Sequence, residues 1–215
     1  MVVDNVLQYL KDLITRYPQL NVCRGAIWQS FEVMKESFSG GGKLLTAGNG
    51  GSAADSEHMA GELMKKFVIS RTVSDVFAER LRKIDAERGE RLACCLEKAL
   101  PVIPLVAHEA LTTAYMNDVE GGSVFAQQLF GYGKPGDVFV GISTSGNSQN
   151  ILDAAVVAKA MNIKVIGLTG GNGGELKRLA DISVVVPEKE TFKIQELHLP
   201  VYHCWCQMLE MQFFG

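Results

Sequence analysis

The chain has 215 residues, 47% hydrophobic and 21% charged, with 22 glycines and a formal net charge of −3. This is the size and composition of a single domain able to bury a large core, and it excludes the low-hydrophobicity, high-charge regime of disorder. With 21 Lys and Arg against 24 Asp and Glu, there is no basic field of the kind that drives binding to nucleic-acid phosphate.

The first residues, MVVDNVLQYLKDL, lack a basic leader and an apolar export segment. The longest apolar runs, around 102–107, 138–142 and 182–186, fall short of the roughly 18–20 residues that span a bilayer. A cytoplasmic protein with no membrane partner is expected. Cys23, the pair Cys94-Cys95, and Cys204 and Cys206 contain no CxxC and read as reduced core thiols.

In chain order, helical periodicity appears twice over 4–37 (Val6, Leu7, Leu10, Leu13, Ile14, then Ile27, Phe31, Met34), broken at Tyr17-Pro18. Residues 1–38 are therefore read as N-terminal helices and 39–215 as the main domain. Short apolar runs at 43–47, 102–107, 137–142, 164–168 and 182–187 read as strands. Helical patterns separate them at 52–66, 109–116, 121–131, 148–161 and 173–180, and a last helix covers about 195–213. Strands that alternate with helices and are apolar on both faces predict a doubly wound α/β fold, a parallel sheet with helices on both sides. The segment 68–100 carries mixed-sign charge between apolar residues and reads as a solvated helical pair inserted in the domain.

Ligands of such sheets bind at the carboxyl ends of the strands, and two loops there carry chemistry. After the first strand comes GNGGSAADSEH, where glycines allow close approach to a ligand and Ser52 is placed to cap the following helix. After the third comes Ser143-Thr144-Ser145-Gly146-Asn147-Ser148, a hydroxyl cluster at another helix start. Together they describe a phosphate cradle of hydroxyls and amide N–H groups without Lys or Arg. Gly48-x-Gly50-x-x-Ala53 formally matches a relaxed dinucleotide fingerprint, but the acidic residue ending a second strand about 20 residues later is missing. No GxxxxGK[ST] occurs, so a nucleoside-triphosphate loop is excluded as well.

His58 and Glu62 are four residues apart and stack on one helix face, opposite the apolar stripe Ala60, Leu63, Met64 and Phe67. Packing of that stripe on the sheet would turn the pair outward. Gln195 and His203 lie eight apart on one side of the last helix, with Pro200 between them removing one helical hydrogen bond. Beside Tyr202 and Trp205, His203 taken alone reads as a satisfied core histidine.

The pattern GNGGSAADSEHMAGEL, then Asn117-Asp118, then GISTSGNSQNIL, then KIQELHLPVYH resembles the SIS sugar-isomerase family over most of the chain. The resemblance implies a flavodoxin-like five-stranded SIS domain and a homotetramer with active sites between subunits. It implies a sugar phosphate, sedoheptulose 7-phosphate, isomerised to glycero-manno-heptose 7-phosphate. The substrate would be held by the residues at Asn49, Gly50, Gly51, Ser52, Ser143, Thr144, Ser145, Ser148 and Gln195, with Asn117 and Asp118 completing the pocket and Asp118 opening or orienting the sugar. An aldose–ketose shift needs a base on carbon and a group handling the oxygen proton, and Glu62 and His203 are assigned these roles. No nucleotide or redox cofactor is expected. Zinc occupies the positions of His58, Glu62, Gln195 and His203 in some members; the spacing of His58 and Glu62 suits a metal, while an amide oxygen from Gln195 is a weak zinc ligand. The contrasting expectation is a non-catalytic SIS module that senses a phosphosugar or docks on a replication initiator; retention of Glu62 and His203 counts against it.

Overall fold

The structure, a computed structural model, describes residues 2–215, with side chains from residue 5 onward. Helices α1 (Val2–Arg16) and α2 (Arg24–Ser39) are joined by a 3-10 turn, Pro18–Cys23, which begins at the Tyr17-Pro18 break. The first strand, β1 (Leu44–Ala47), leads into α3 (Gly51–Met64), and an excursion follows as α4 (Asp75–Ile84) and α5 (Ala86–Cys95). Then come β2 (Val102–Pro104), α6 (Glu109–Tyr115), a π-helical turn (Met116–Glu120), α7 (Val124–Tyr132) and β3 (Val138–Ile142). The chain ends with α8 (Gln149–Ala160), β4 (Lys164–Gly170), α9 (Leu176–Leu179), β5 (Ile182–Val186) and α10 (Thr191–Phe214).

The strands form one five-stranded parallel sheet in the order β2-β1-β3-β4-β5. Alternate side chains feed opposite cores. Leu44, Val138, Val140, Ile142 and Ile166 pack with α1, α2, α3 and α10, whereas Leu45, Phe139 and Val165 pack with α7 and α8. Burial on both faces is what continuous apolar strands demand. The order is the doubly wound, flavodoxin-like one, and the chain leaves β1 toward one side and returns for β3 on the other. The crevice at the carboxyl ends of β1 and β3 is therefore the topological switch point where such sheets bind ligands.

Several elements depart from the sequence expectations. β2 stops at Pro104, on an edge strand where a missing N–H is tolerated. The helix expected over 173–180 shrinks to Leu176–Leu179 because Gly173 and Gly174 take φ of +88° and +56°. α10 begins four residues early, at Thr191, and runs through Pro200 as one 24-residue helix. The N-terminal helices bury Val6, Leu10, Leu13, Ile27, Phe31 and Met34 in the chain's own core, so their apolar faces are not left over for a neighbour.

The segment 68–100 does contain the expected helical pair. Ser74 caps α4 by accepting from Phe77 N–H, and Asp85 caps α5 by accepting from Arg88 N–H at 2.8 Å. The two helices pack chiefly on each other, crossing where Gly89 meets the backbone of Leu81. Because α5 has no other cover, Cys94 and Cys95 are exposed, and only Cys23, Cys204 and Cys206 are core thiols. Among the described residues, no helix is long and apolar enough to cross a membrane.

Candidate active site

The two loops at the switch point are built as close-packed turns. Gly50, at φ +55°, precedes α3 and is its N-cap; Ser52 lies inside the first turn, buried, and is not the cap expected from sequence. A Cβ on Gly51 would stand 2.7 Å from Nε2 of Gln195, so only glycine lets the first turn of α3 meet the side chain reaching in from α10. Beyond β3, the Ser143 and Ser148 hydroxyls share a hydrogen bond of 2.9 Å, and Ser145 Oγ accepts from Asn147 N–H at 3.1 Å. Gly170 N–H donates to the Thr144 carbonyl at 3.1 Å, tying the loop to the end of β4. Asn49 and Asn150 exchange a pair of amide hydrogen bonds, each 2.9 Å, and so join the first loop to α8.

A cleft of about 360 Å³ opens beside these loops, lined by Gly48, Asn49, Gly50, Met116, Gly121 and Asn150 among others. Asn117 and Asp118 stand exposed on the π-helical turn at its border, where Asn117 donates to Asp118 at 2.8 Å. Among the described residues, no hydrogen bond or ion pair joins either of them to Glu62 or His203.

Glu62 and His203 come to either side of His58 elsewhere, where α3 lies against α10. His58 and Glu62 do not simply turn to solvent. His58 Nε2 is 3.3 Å from Glu62 Oε1, and the Glu62 side chain is only 14% exposed. His58 Nδ1 is 3.0 Å from the Tyr202 hydroxyl, which donates to Asp55 Oδ1 at 3.1 Å. The His203 ring stands edge-on to His58 at 4.9 Å, and Phe67 packs on it at 5.3 Å. His203 is not a satisfied core histidine, since its Nε2 is buried with no hydrogen-bond partner.

Burial sets the electrostatics of this junction. It pushes His203 below the ordinary imidazole range, assisted by His58 and opposed by Glu62. It also raises the Asp55 carboxyl, against the lowering effects of the Tyr202 hydroxyl and of His58. The Tyr202 phenol is raised by burial and then by Asp55. Asp55 and Tyr202 were not singled out from sequence. Asp55 did carry a signal, since it precedes His58 by three residues and Glu62 by seven on the same helical stripe.

Of the four residues considered for zinc, His58, Glu62 and His203 gather at this junction and Gln195 does not. Among the described residues, no group of three or more His, Cys, Asp or Glu is placed to hold a metal ion. His58 and Glu62 already face each other, and Gln195 is turned to Gly51. This placement lends zinc at the four positions no support.

Comparison with known proteins bears on this geometry. The SIS domain family matches residues 86–170. A phosphoheptose isomerase of Synechocystis is 36% identical, over 98% of this chain and 94% of its own length. One from Akkermansia muciniphila is 35% identical over 89% of this chain and 87% of its own. The solved structure of a phosphoheptose isomerase from Francisella tularensis superposes with a TM-score of 0.74 at 30% identity, covering 97% of this chain and 98% of that one.

Proposed function

Because the chain belongs to the phosphoheptose isomerase family of SIS-domain proteins, we infer that it is an aldose–ketose isomerase converting sedoheptulose 7-phosphate to glycero-manno-heptose 7-phosphate. One observation supports this reading above the rest: Glu62 and His203, far apart in sequence, flank the same imidazole of His58. Carboxylate and imidazole are the two group types that the reaction asks for.

In this mechanism the Glu62 carboxylate takes the C1 proton of the open-chain ketose. The C–H electron pair becomes the C1=C2 bond, and the carbonyl pair moves onto O2 to give the enediolate. His203 gives a proton to O2 and accepts the one on O1; the proton on Glu62 then returns to C2 as the C1 carbonyl forms. An imidazole held neutral by burial suits the oxygen role, since it both donates and accepts. The chemistry calls for no nucleotide, and zinc has no assigned step.

Asn49, Gly50, Gly51, Ser52, Ser143, Thr144, Ser145, Ser148 and Gln195 hold the sugar phosphate. Hydroxyls and free amide N–H groups at the starts of α3 and α8 take the place of cationic side chains at the phosphate. Asn117 and Asp118 reach neither Glu62 nor His203 within one chain, which supports a site completed between subunits of a homotetramer. Val22, Phe130 and Phe192, exposed by 75%, 65% and 58%, offer apolar surface for that contact. The free state of all five cysteines agrees with a cytoplasmic enzyme.

The test is incubation with sedoheptulose 7-phosphate in D2O, followed by NMR. Aldoheptose 7-phosphate is the expected product, with deuterium at C2 to the extent that the proton on Glu62 exchanges with solvent before it returns. Neither product nor exchange at C1 would sink the reading.

A further inference from the structure

We propose that the buried Arg71–Glu210 ion pair is the device that sets the separation of Glu62 from His203, a role that rests on the isomerase reading for what those two residues do. Arg71 lies in the charge-rich stretch that leads into α4, yet it is 1% exposed, and Glu210 is fully buried near the end of α10. Burial of two charges is costly unless their bonding capacity is used, and here it is used almost completely.

The Arg71 guanidinium makes three attachments. Its Nε donates to Glu210 Oε1 at 2.9 Å, Nη1 to the Leu63 carbonyl at 2.6 Å and Nη2 to the Glu62 carbonyl at 3.2 Å. The last two are carbonyls of the final turn of α3, which have no partner within their own helix. Arg71 thus grips the backbone of Glu62 itself, and its Cζ lies 4.6 Å over the Phe214 ring. Glu210 works from the other helix. Its two oxygens accept from Phe67 N–H and Val68 N–H, each at 2.7 Å.

Two consequences follow for the reacting groups. His203 and Glu210 are seven residues apart, two turns, so they share one face of α10, and the brace fixes that face against the end of α3. By holding the Phe67 backbone, Glu210 also places the ring that packs on His203. The pair therefore joins both sides of the Glu62–His203 junction through groups that touch neither the substrate nor the reacting atoms. The root of the α4–α5 excursion is fastened at the same point, through Lys98 N–H donating to the Arg71 carbonyl at 2.7 Å. Arg71 and Glu210 are positioning residues.

A buried ion pair exchanged for hydrophobic residues of similar volume is often neutral in stability, but this pair also serves the Glu62 carbonyl and the Phe67 and Val68 N–H groups, so stability alone does not distinguish bracing from folding. The double variant Arg71→Met/Glu210→Leu separates the two roles. Arg71→Lys is the second variant, keeping the charge but lacking a fork that reaches Glu210 and both carbonyls together. For each, kcat and KM are measured with sedoheptulose 7-phosphate beside the wild type. The imidazole resonances of His58 and His203, whose rings shift each other's signals at 4.9 Å, are recorded without substrate.

The expected result is a folded but destabilised double variant with displaced His58 and His203 resonances. Its kcat falls by about tenfold or more, since misplacement by about 1 Å can cost about 10²-fold, while KM moves by less than about threefold. The pH profile keeps its midpoints, because the groups doing proton transfer are unchanged. Wild-type imidazole resonances together with kcat within about twofold of wild type, in whichever of the two variants folds, would overturn the proposal. A wild type without turnover would count against the isomerase reading alone, and the resonances would still decide whether the brace positions the two helices.

Discussion

His58 Nδ1 and the Tyr202 hydroxyl stand 3.0 Å apart, and because Tyr202 donates its own proton to Asp55, its oxygen is free to accept from His58. This contact fixes the ring so that Nε2 points at Glu62. Tyr202→Phe keeps the ring and removes the hydroxyl, leaving the half-buried Asp55 and the partly exposed His58 each short of a partner. The cost expected is about 1 kcal/mol in unfolding free energy, the net worth of a typical hydrogen bond, with reduced kcat as His58 loses its fixed orientation. Urea unfolding and steady-state kinetics check both parts, and an unchanged midpoint would mean the hydroxyl is already served by water.

Glu62→Gln retains shape and hydrogen bonding to the neighbourhood but cannot take a proton from carbon. General-base catalysis is worth about 10²–10⁴ in rate, and a loss of that size is expected with the circular dichroism spectrum intact. A variant holding more than about a tenth of wild-type activity would move the base to another residue.

The buried His198 makes stability depend on pH in a defined direction. Burial depresses its pKa to about 4, only partly offset by the Thr169 backbone, and neither ring nitrogen has a well-formed hydrogen bond. Below about pH 6.5 the unfolded chain binds a proton there that the native state refuses. Stability from this residue is therefore present above about 6.5, is lost as the pH falls toward about 4, and levels off below it. The total is on the order of 3 kcal/mol, since each tenfold loss of proton affinity on folding is worth about 1.4 kcal/mol. Denaturant unfolding between these pH values should show a shallower acid limb in His198→Leu than in the wild type.

Much of this arrangement was legible in sequence, and the exceptions share a cause. The loops after β1 and β3 could be read because glycine and hydroxyl runs follow buried apolar strands, a purely local signal. The stacking of His58 over Glu62 was local as well. What periodicity could not supply was the partner of a face: the stripe carrying Asp55, His58 and Glu62 looked solvent-directed until α10 laid Tyr202 and His203 against it. Arg71 shows the same limit, since one buried charge among the many of 68–100 looks like its solvated neighbours. Glu210, a lone carboxylate closing a stretch from Cys204 to Leu209 that is apolar except for Gln207, was the better clue. Helix bounds at 173–174 failed for a different reason, because positive φ at consecutive glycines overrides the apolar spacing that follows.

The proposed assembly cannot draw on the N-terminal helices, which satisfy themselves against α10 and the sheet. Val22, Phe130 and Phe192 are exposed and available to the proposed contact between copies. Multi-angle light scattering should report a mass near four chains at micromolar concentration. An active monomer at that concentration would refute a site completed between subunits.

Gly51 offers a way to perturb substrate binding without touching the proton-transfer groups. It is the first residue of α3, and its φ lies outside the left-handed region, so alanine costs nothing in backbone strain. The added Cβ would come within 2.7 Å of Gln195 Nε2, the far end of a flexible side chain, which must swing away. Gly51→Ala should therefore leave the melting temperature nearly unchanged while displacing Gln195 from the loop proposed to hold the sugar phosphate. The expected signature is a rise in KM of about tenfold, equivalent to about 1.4 kcal/mol of binding, with kcat changed far less. Gln195→Ala in the same assay should match it, and the double variant should add little, because both remove one interaction. A Gly51→Ala enzyme with wild-type KM would place the substrate away from the first turn of α3.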